Sequence, residues 1–140
     1  MSARSLSLES STAPPWRLRP VALCAVGAAR LLTRLPPRHL RTVLTAVRGG
    51  ARPASEGEAL RARNAVVAVS VPCAGPRCLQ RSIATALLCR VSGSWPDWVT
   101  GVRTQPFRAH AWVEVDGEPM GESADEVRHF HVLMRIGSRR

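Results

Sequence analysis

The sequence predicts an α+β fold, with helices first and an antiparallel sheet after them. Three observations carry this. Apolar residues recur at helical spacing in the first two thirds of the chain, broken by proline and glycine. Beyond Pro96 the pattern changes to alternation, cleanest from Ala109 to Val115. Asp116-Gly117 follows directly, a dipeptide that favours a tight hairpin turn.

The elements follow in order. Residues 1–20 are rich in Ser, Pro and Arg without periodicity, and read as a frayed arm. Residues 21–140 are expected to form a single domain. From Pro20 to Leu35 the spacing predicts a helix with Leu23, Val26, Leu31 and Leu35 near one face, stopped by Pro36-Pro37. A second helix, about Arg38 to Arg48, carries Leu40, Val43, Leu44 and Val47 and ends at Gly49-Gly50. Ser55 with Glu58 three positions later is a capping box opening a third helix over roughly 56–69. Pro72 and Gly75-Pro76 break the chain. A fourth helix begins near Cys78, with Leu79, Ile83, Ala86, Leu87 and Val91 in three- and four-residue steps and Gly93 as its cap. Strands are predicted from Trp98 to Arg103, from Ala109 to Val115 and from Val127 to Ile136.

Composition narrows the function classes. At 140 residues the chain has the length of one domain of about 150 and buries roughly 68–70% of its unfolded surface. A hydrophobic content of 45% excludes a wholly disordered chain, and four cysteines are too few for a disulfide scaffold. The formal charge of +10 comes from arginine alone, in a chain without lysine or tyrosine and rich in Ala, Pro, Gly and Val, which is the imprint of a GC-rich coding sequence. Aromatics make up only 4% and are scattered, so a base-stacking nucleic-acid surface is not expected. An acidic peptide or protein partner accounts for the charge equally well. The longest apolar run, Val21 to Ala29, lies between Arg19 and Arg30 and falls short of the ~20 residues of a membrane span. It also starts too late, after Glu9 and Pro14-Pro15, for a secretory signal. A cytoplasmic protein with reduced thiols is the expectation.

Chemistry is expected where Cys78 opens a helix. The orphan N–H groups and positive end of the helix dipole favour thiolate, the competent nucleophile, and Arg77 adds charge nearby. Cys24 and Cys89 read instead as small buried hydrophobes on apolar helical faces, and Cys73 lies in the loop. His110 opens the strand His110-Ala-Trp-Val-Glu-Val-Asp116, where it shares a face with Trp112 and Glu114 while Ala111, Val113 and Val115 face the core. An acid must orient the imidazole. Along a continuous strand Glu114 is ~13 Å and Asp116 ~20 Å from His110, so neither reaches. On the returning strand, a two-residue turn pairs 111 with 122 and turns Glu122 away. A three-residue loop, Asp116 to Glu118, pairs 112 with 122 and brings Glu122 to the face of His110. Pro119 disfavours a plain ladder. Asp125 stands in reserve, and Ser123 is a weaker partner. A zinc site from Cys73-x4-Cys78 and His129-x-His131 is a poor match to ribbon or finger spacing.

Taken together, Arg77-Cys78-Leu79-Gln80-Arg81-Ser82, Gly101-Val102-Arg103, Pro106-Phe107 and His110-Ala111-Trp112-Val113-Glu114-Val115-Asp116-Gly117 closely resemble the transglutaminase-like B proteins of lasso-peptide biosynthesis. Those are the leader peptidases of a class of ribosomally made peptide natural products (RiPPs). The resemblance covers about residues 55–136, with the motifs within 72–136. It implies a papain/transglutaminase-like cysteine protease fold. It also implies cleavage of a precursor peptide between leader and core. By matching positions it makes Cys78 the nucleophile and His110 the general base and acid. The third member in that family is usually an aspartate, and the matching position here is Glu122, a carboxylate with one more methylene. The glutamine that papain-type enzymes place upstream of the nucleophile is missing, since Pro72 stands six residues before Cys78; Gln80 is not assigned that task. The chain resembles the split form, which implies a separate leader-recognition protein acting in trans and hand-over to an asparagine-synthetase-like, ATP-dependent lasso cyclase. No phosphate-cradling glycine loop is present, so no nucleotide or other cofactor is expected on this chain. Two alternatives use the same residues differently: a transglutaminase-like acyl transferase with an amine acceptor, and a non-catalytic scaffold for the cyclase.

Overall fold

Local chemistry sets the helix ends. In the computed structural model, which describes residues 18–69 and 77–138, α1 spans Leu18–Leu32, α2 Pro37–Arg48, α3 Glu56–Val69 and α4 Cys78–Val91. Pro37 sits in the first turn of α2, where its missing N–H costs nothing. The capping box before α3 is formed in both directions: the Glu58 N–H donates to Ser55 Oγ at 3.1 Å, and the Ser55 N–H donates to Glu58 Oε1 at 2.9 Å. Gly93, just past α4, takes φ +89°, the left-handed conformation that closes a helix cheaply only for glycine. Helix α1 already includes Leu18 to Pro20, which the sequence assigned to the arm. The rest of that arm, and the break at Pro72 and Gly75-Pro76, lie outside the described residues.

A short parallel pair, β1 (Arg52–Pro53) with β2 (Ser94–Trp95), ties the middle of the chain to the end of α4. The main sheet contains β3 (Asp97–Arg103), β4 (Arg108–Val115), β5 (Glu118–Pro119) and β6 (His131–Ile136) in the order β5-β4-β3-β6, all antiparallel. Trp98 pairs with Val113 and Gly101 with His110. The expected last strand begins late. Residues Ala124–Val127 form a helical turn, α5, and β6 starts only at His131. Asp125 and Glu126 fall in the first turn of α5, where acids favour a helix start.

The fold is α+β, as the sequence predicts. Helix α4 is its axis. Ile83, Ala84, Ala86, Leu88 and Cys89 are buried around its circumference, under α1, α3 and the sheet. Helix α1 meets it through a stripe of small residues, Ala22, Ala25, Val26 and Ala29. Of the residues expected on that face, Val26 is buried and Leu35 packs partly buried against the core, while Leu23 (53% exposed) and Leu31 (64% exposed) point outward and alanines take their place. Cys24 is also exposed rather than buried; Cys89 is buried as expected. Gln80 crosses the α1–α4 interface, donating from Nε2 to the Val26 carbonyl at 3.1 Å. Trp98 Nε1 donates to Ser82 Oγ at 3.0 Å, joining β3 to α4.

Strand β4 is covered on both faces. Val113 and Val115 enter the main core with the helices, while Trp112 packs with Val99, Val127 and Phe130 on the far side. Glu114 on that second face is buried but satisfied. It accepts from Trp112 Nε1 at 2.8 Å and from an Arg135 guanidinium N–H at 2.9 Å.

Candidate active site

Cys78 is the first residue of α4, so its sulfur lies beside the unpaired N–H groups of the helix start. It is partly buried. The packing of α4 across β4 brings it to His110, and the thiol hydrogen-bonds both the imidazole and the Ala111 backbone amide. His110 Nε2 donates to Glu122 Oε1 at 3.1 Å, which leaves Nδ1 for the sulfur. Glu122 Oε2 in turn accepts from Arg81 Nη2 at 3.3 Å. Arg81 is three residues after Cys78, on the same side of α4. The side chains of Arg81, His110 and Glu122 are only 12%, 14% and 16% exposed, so these charges interact with little screening by water.

The electrostatics point one way. Burial is the largest influence on Cys78 and pushes its thiol up. The His110 and Ala111 hydrogen bonds, with the positive charges of His110 and Arg81, outweigh it and hold the thiol below its ordinary value. His110 is raised to about 9, first by its hydrogen bond to Cys78 and then by that to Glu122. Burial pushes Glu122 up, but His110, Arg81 and Arg63 together hold it below the usual carboxylate value. The site therefore shifts the balance toward a thiolate–imidazolium pair, with the carboxylate fixing the ring.

Glu122 arrives by a route the sequence did not predict. The hairpin has a two-residue turn, with Val115 opposite Glu118 and both Asp116 (φ +53°) and Gly117 (φ +83°) left-handed. That register was expected to turn Glu122 away. The ladder, however, ends at Pro119, and the chain leaves it through Gly121 at φ +73°. A Cβ at Gly121 would collide with the Arg63 guanidinium. The swing at this glycine redirects Glu122 to His110.

The other candidates lie elsewhere. Asp116 occupies the turn. Asp125, on α5, faces Arg128 at 3.4 Å and is exposed. Ser123 precedes α5 and makes no side-chain capping bond. Of the zinc candidates, Cys73 lies outside the described residues, Cys78 is engaged with His110, and His129 bonds the Asp125 carbonyl at 2.7 Å. Among the described residues no group of three or more His, Cys, Asp or Glu side chains is placed to hold a metal ion. No helix among them is long and apolar enough to cross a membrane.

Residues 22–135 match the family described as the transglutaminase-like superfamily, a span that contains all three side chains. The chain belongs to the transglutaminase-like superfamily. No curated protein and no solved structure matches it. This transglutaminase-like domain surrounds its imidazole with an aromatic wall: Trp112 stacks on His110 at 5.5 Å and 22°, and Phe130 approaches it at 5.5 Å. Alternation along β4 gave the Trp112 neighbour. Nothing local in the sequence marked Phe130 or Arg63, which reach the site from separate elements. For Arg81 the signal in the sequence is its three-residue spacing from Cys78, which places both on one side of a helix.

Proposed function

We propose that this protein is a cysteine peptidase that removes the leader from a lasso-peptide precursor. The observation that carries the reading is the contiguous chain of contacts Cys78–His110–Glu122, built on a helix start, a strand and the loop beyond it. The fold of a transglutaminase-like domain is compatible with a cysteine peptidase, and the resemblance of the ordered motifs around Cys78 and His110 to the lasso-peptide B proteins is the support for leader removal.

In this reading the Cys78 thiolate attacks the carbonyl carbon at the leader–core junction. The N–H groups at the start of α4 are disposed to hold the oxyanion that forms. The His110 imidazolium then gives its proton to the departing core amine, leaving the leader as a thioester on Cys78. His110, now neutral, takes a proton from water, whose oxygen attacks the thioester. The leader leaves as a carboxylic acid and the thiolate–imidazolium pair is restored. Glu122 keeps the ring oriented throughout. The substrate is delivered by a separate leader-recognition protein, and the freed amine passes to the lasso cyclase, in the cytoplasm. No cofactor takes part in these steps.

The test combines the protein with its leader-recognition partner and precursor and follows the products by mass. Cys78→Ala is expected to abolish cleavage; cleavage at the wild-type rate overturns the mechanism. The superfamily also accommodates acyl transfer, in which an amine replaces water at the thioester. An amine-linked leader product would mark that chemistry.

A further inference from the structure

Arg103 and Arg108 stand directly opposite one another where β3 and β4 meet their connecting turn. Like charges facing across a ladder destabilise a hairpin, and a rule broken locally is most often broken at a working site. Neither guanidinium has an acidic partner among the described residues. Arg103 packs on the Phe130 ring at 5.6 Å, and its Nε is buried without a hydrogen-bond partner. Side chains two apart on a strand share a face, so Arg108 lies on the face of His110. The two arginines, His110, Glu122, Glu126 and Phe130 line one cavity of about 160 Å³. Glu122 is already committed to His110 and Arg81. That leaves two cations and the exposed Glu126 to set the charge of the remaining wall.

We propose that this cavity is a carboxylate-binding subsite, in which Arg103 and Arg108 hold an acidic side chain of the peptide substrate. The orientation rests on the peptidase reading. His110 must face the departing amine, so a cavity beside the imidazole receives the residues that follow the cut. The arginines are specificity residues: they touch substrate away from the reacting atoms. An unpaired buried N–H and a like-charge pair would both be relieved by a bound carboxylate, whose two oxygens suit a guanidinium fork.

The test reads Cys78 alkylation and does not require cleavage. N-iodoacetylglycine and N-iodoacetylglycinamide carry the same warhead and differ only in a terminal carboxylate. The whole protein is treated with each, and the mass of the Cys78-containing peptide gives the two rates. Wild type is expected to prefer the carboxylate reagent. In Arg103→Gln/Arg108→Gln the preference is expected to fall roughly fivefold, the scale of a partly exposed ion pair. Arg108→Glu is expected to lower it further, and removal of the like-charge pair leaves thermal stability unchanged or higher. A rate ratio that is the same in all three proteins overturns the subsite. A shifted ratio in a protein that fails to cleave precursor sinks the peptidase reading and leaves the subsite standing. Failure of both reagents to modify Cys78 overturns both.

Discussion

Glu122 answers to three positive groups at once: His110, Arg81 and, at longer range, Arg63. Replacing its charge therefore does two things. In Glu122→Gln the imidazole loses its orienting anion, and the half-buried Arg63, whose pKa burial and the Arg81 charge already lower, loses its compensation. We expect kcat to fall roughly a hundredfold with KM little changed, the low end of what positioned proton transfer contributes. Glu122→Asp keeps the charge but shortens the arm, so it should retain the Arg81 contact better than the His110 contact and recover only part of the rate. The reactive pair needs a deprotonated thiol and a protonated ring. Activity should rise as Cys78 ionises, below the ordinary thiol value, and fall as His110 loses its proton near about 9. Glu122→Gln removes one of the two groups that raise His110, so its alkaline limb, read from initial rates across pH, should move to lower pH; a limb that stays in place would belong to another group. Cys89, pushed up to about 12 chiefly by burial, should stay unmodified by iodoacetamide at pH 7 while Cys78 reacts.

At the scale of elements, the clearest test is the start of α3. Ser55→Ala removes one arm of a formed capping box and should cost about 0.5–2 kcal/mol in a urea melt. Glu58 is held at about 2, first by its Arg52 hydrogen bond and then by the Ser55 N–H. Its folded value is depressed, so its contribution to stability is present above about 4.5 and is lost as pH falls toward 2. Gly121→Ala forces a side chain into left-handed backbone against Arg63 and should impair activity more than stability, because it displaces the residue before Glu122. These elements also show what sequence can convey. Ser55-x-x-Glu58, Gly93 and Asp116-Gly117 each act within a few residues, so their helix starts, caps and turn were legible. The approach of Glu122 was not, because it depends on where a ladder gives out and how Gly121 then turns. The outward Leu23 and Leu31 were misplaced for a related reason: periodicity finds an apolar stripe but does not reveal that the partner helix prefers alanines.

Across the molecule, the thiol-bearing helix is also the packing centre. Ile83 is fully buried there, and Ile83→Ala should cost about 2–5 kcal/mol and lower activity through loss of fold rather than of chemistry. Intrinsic activity per folded molecule, corrected by the melting curve, should stay near wild type. The layer order was legible because helix and strand periods differ along the chain; the second apolar layer over β4 was not, since Phe130 and Val127 meet Trp112 only after the chain folds back. Helix α4 has no bare side to spare. Its neighbours α1 and α3 come earlier in sequence than every recognisable motif, yet they are the walls that keep the backbone of the Cys78 helix dry. An attempt to pare the chain down to its signature residues would strip those walls away and bare the buried face of α4 to water, so the candidate site and its scaffolding are one indivisible object.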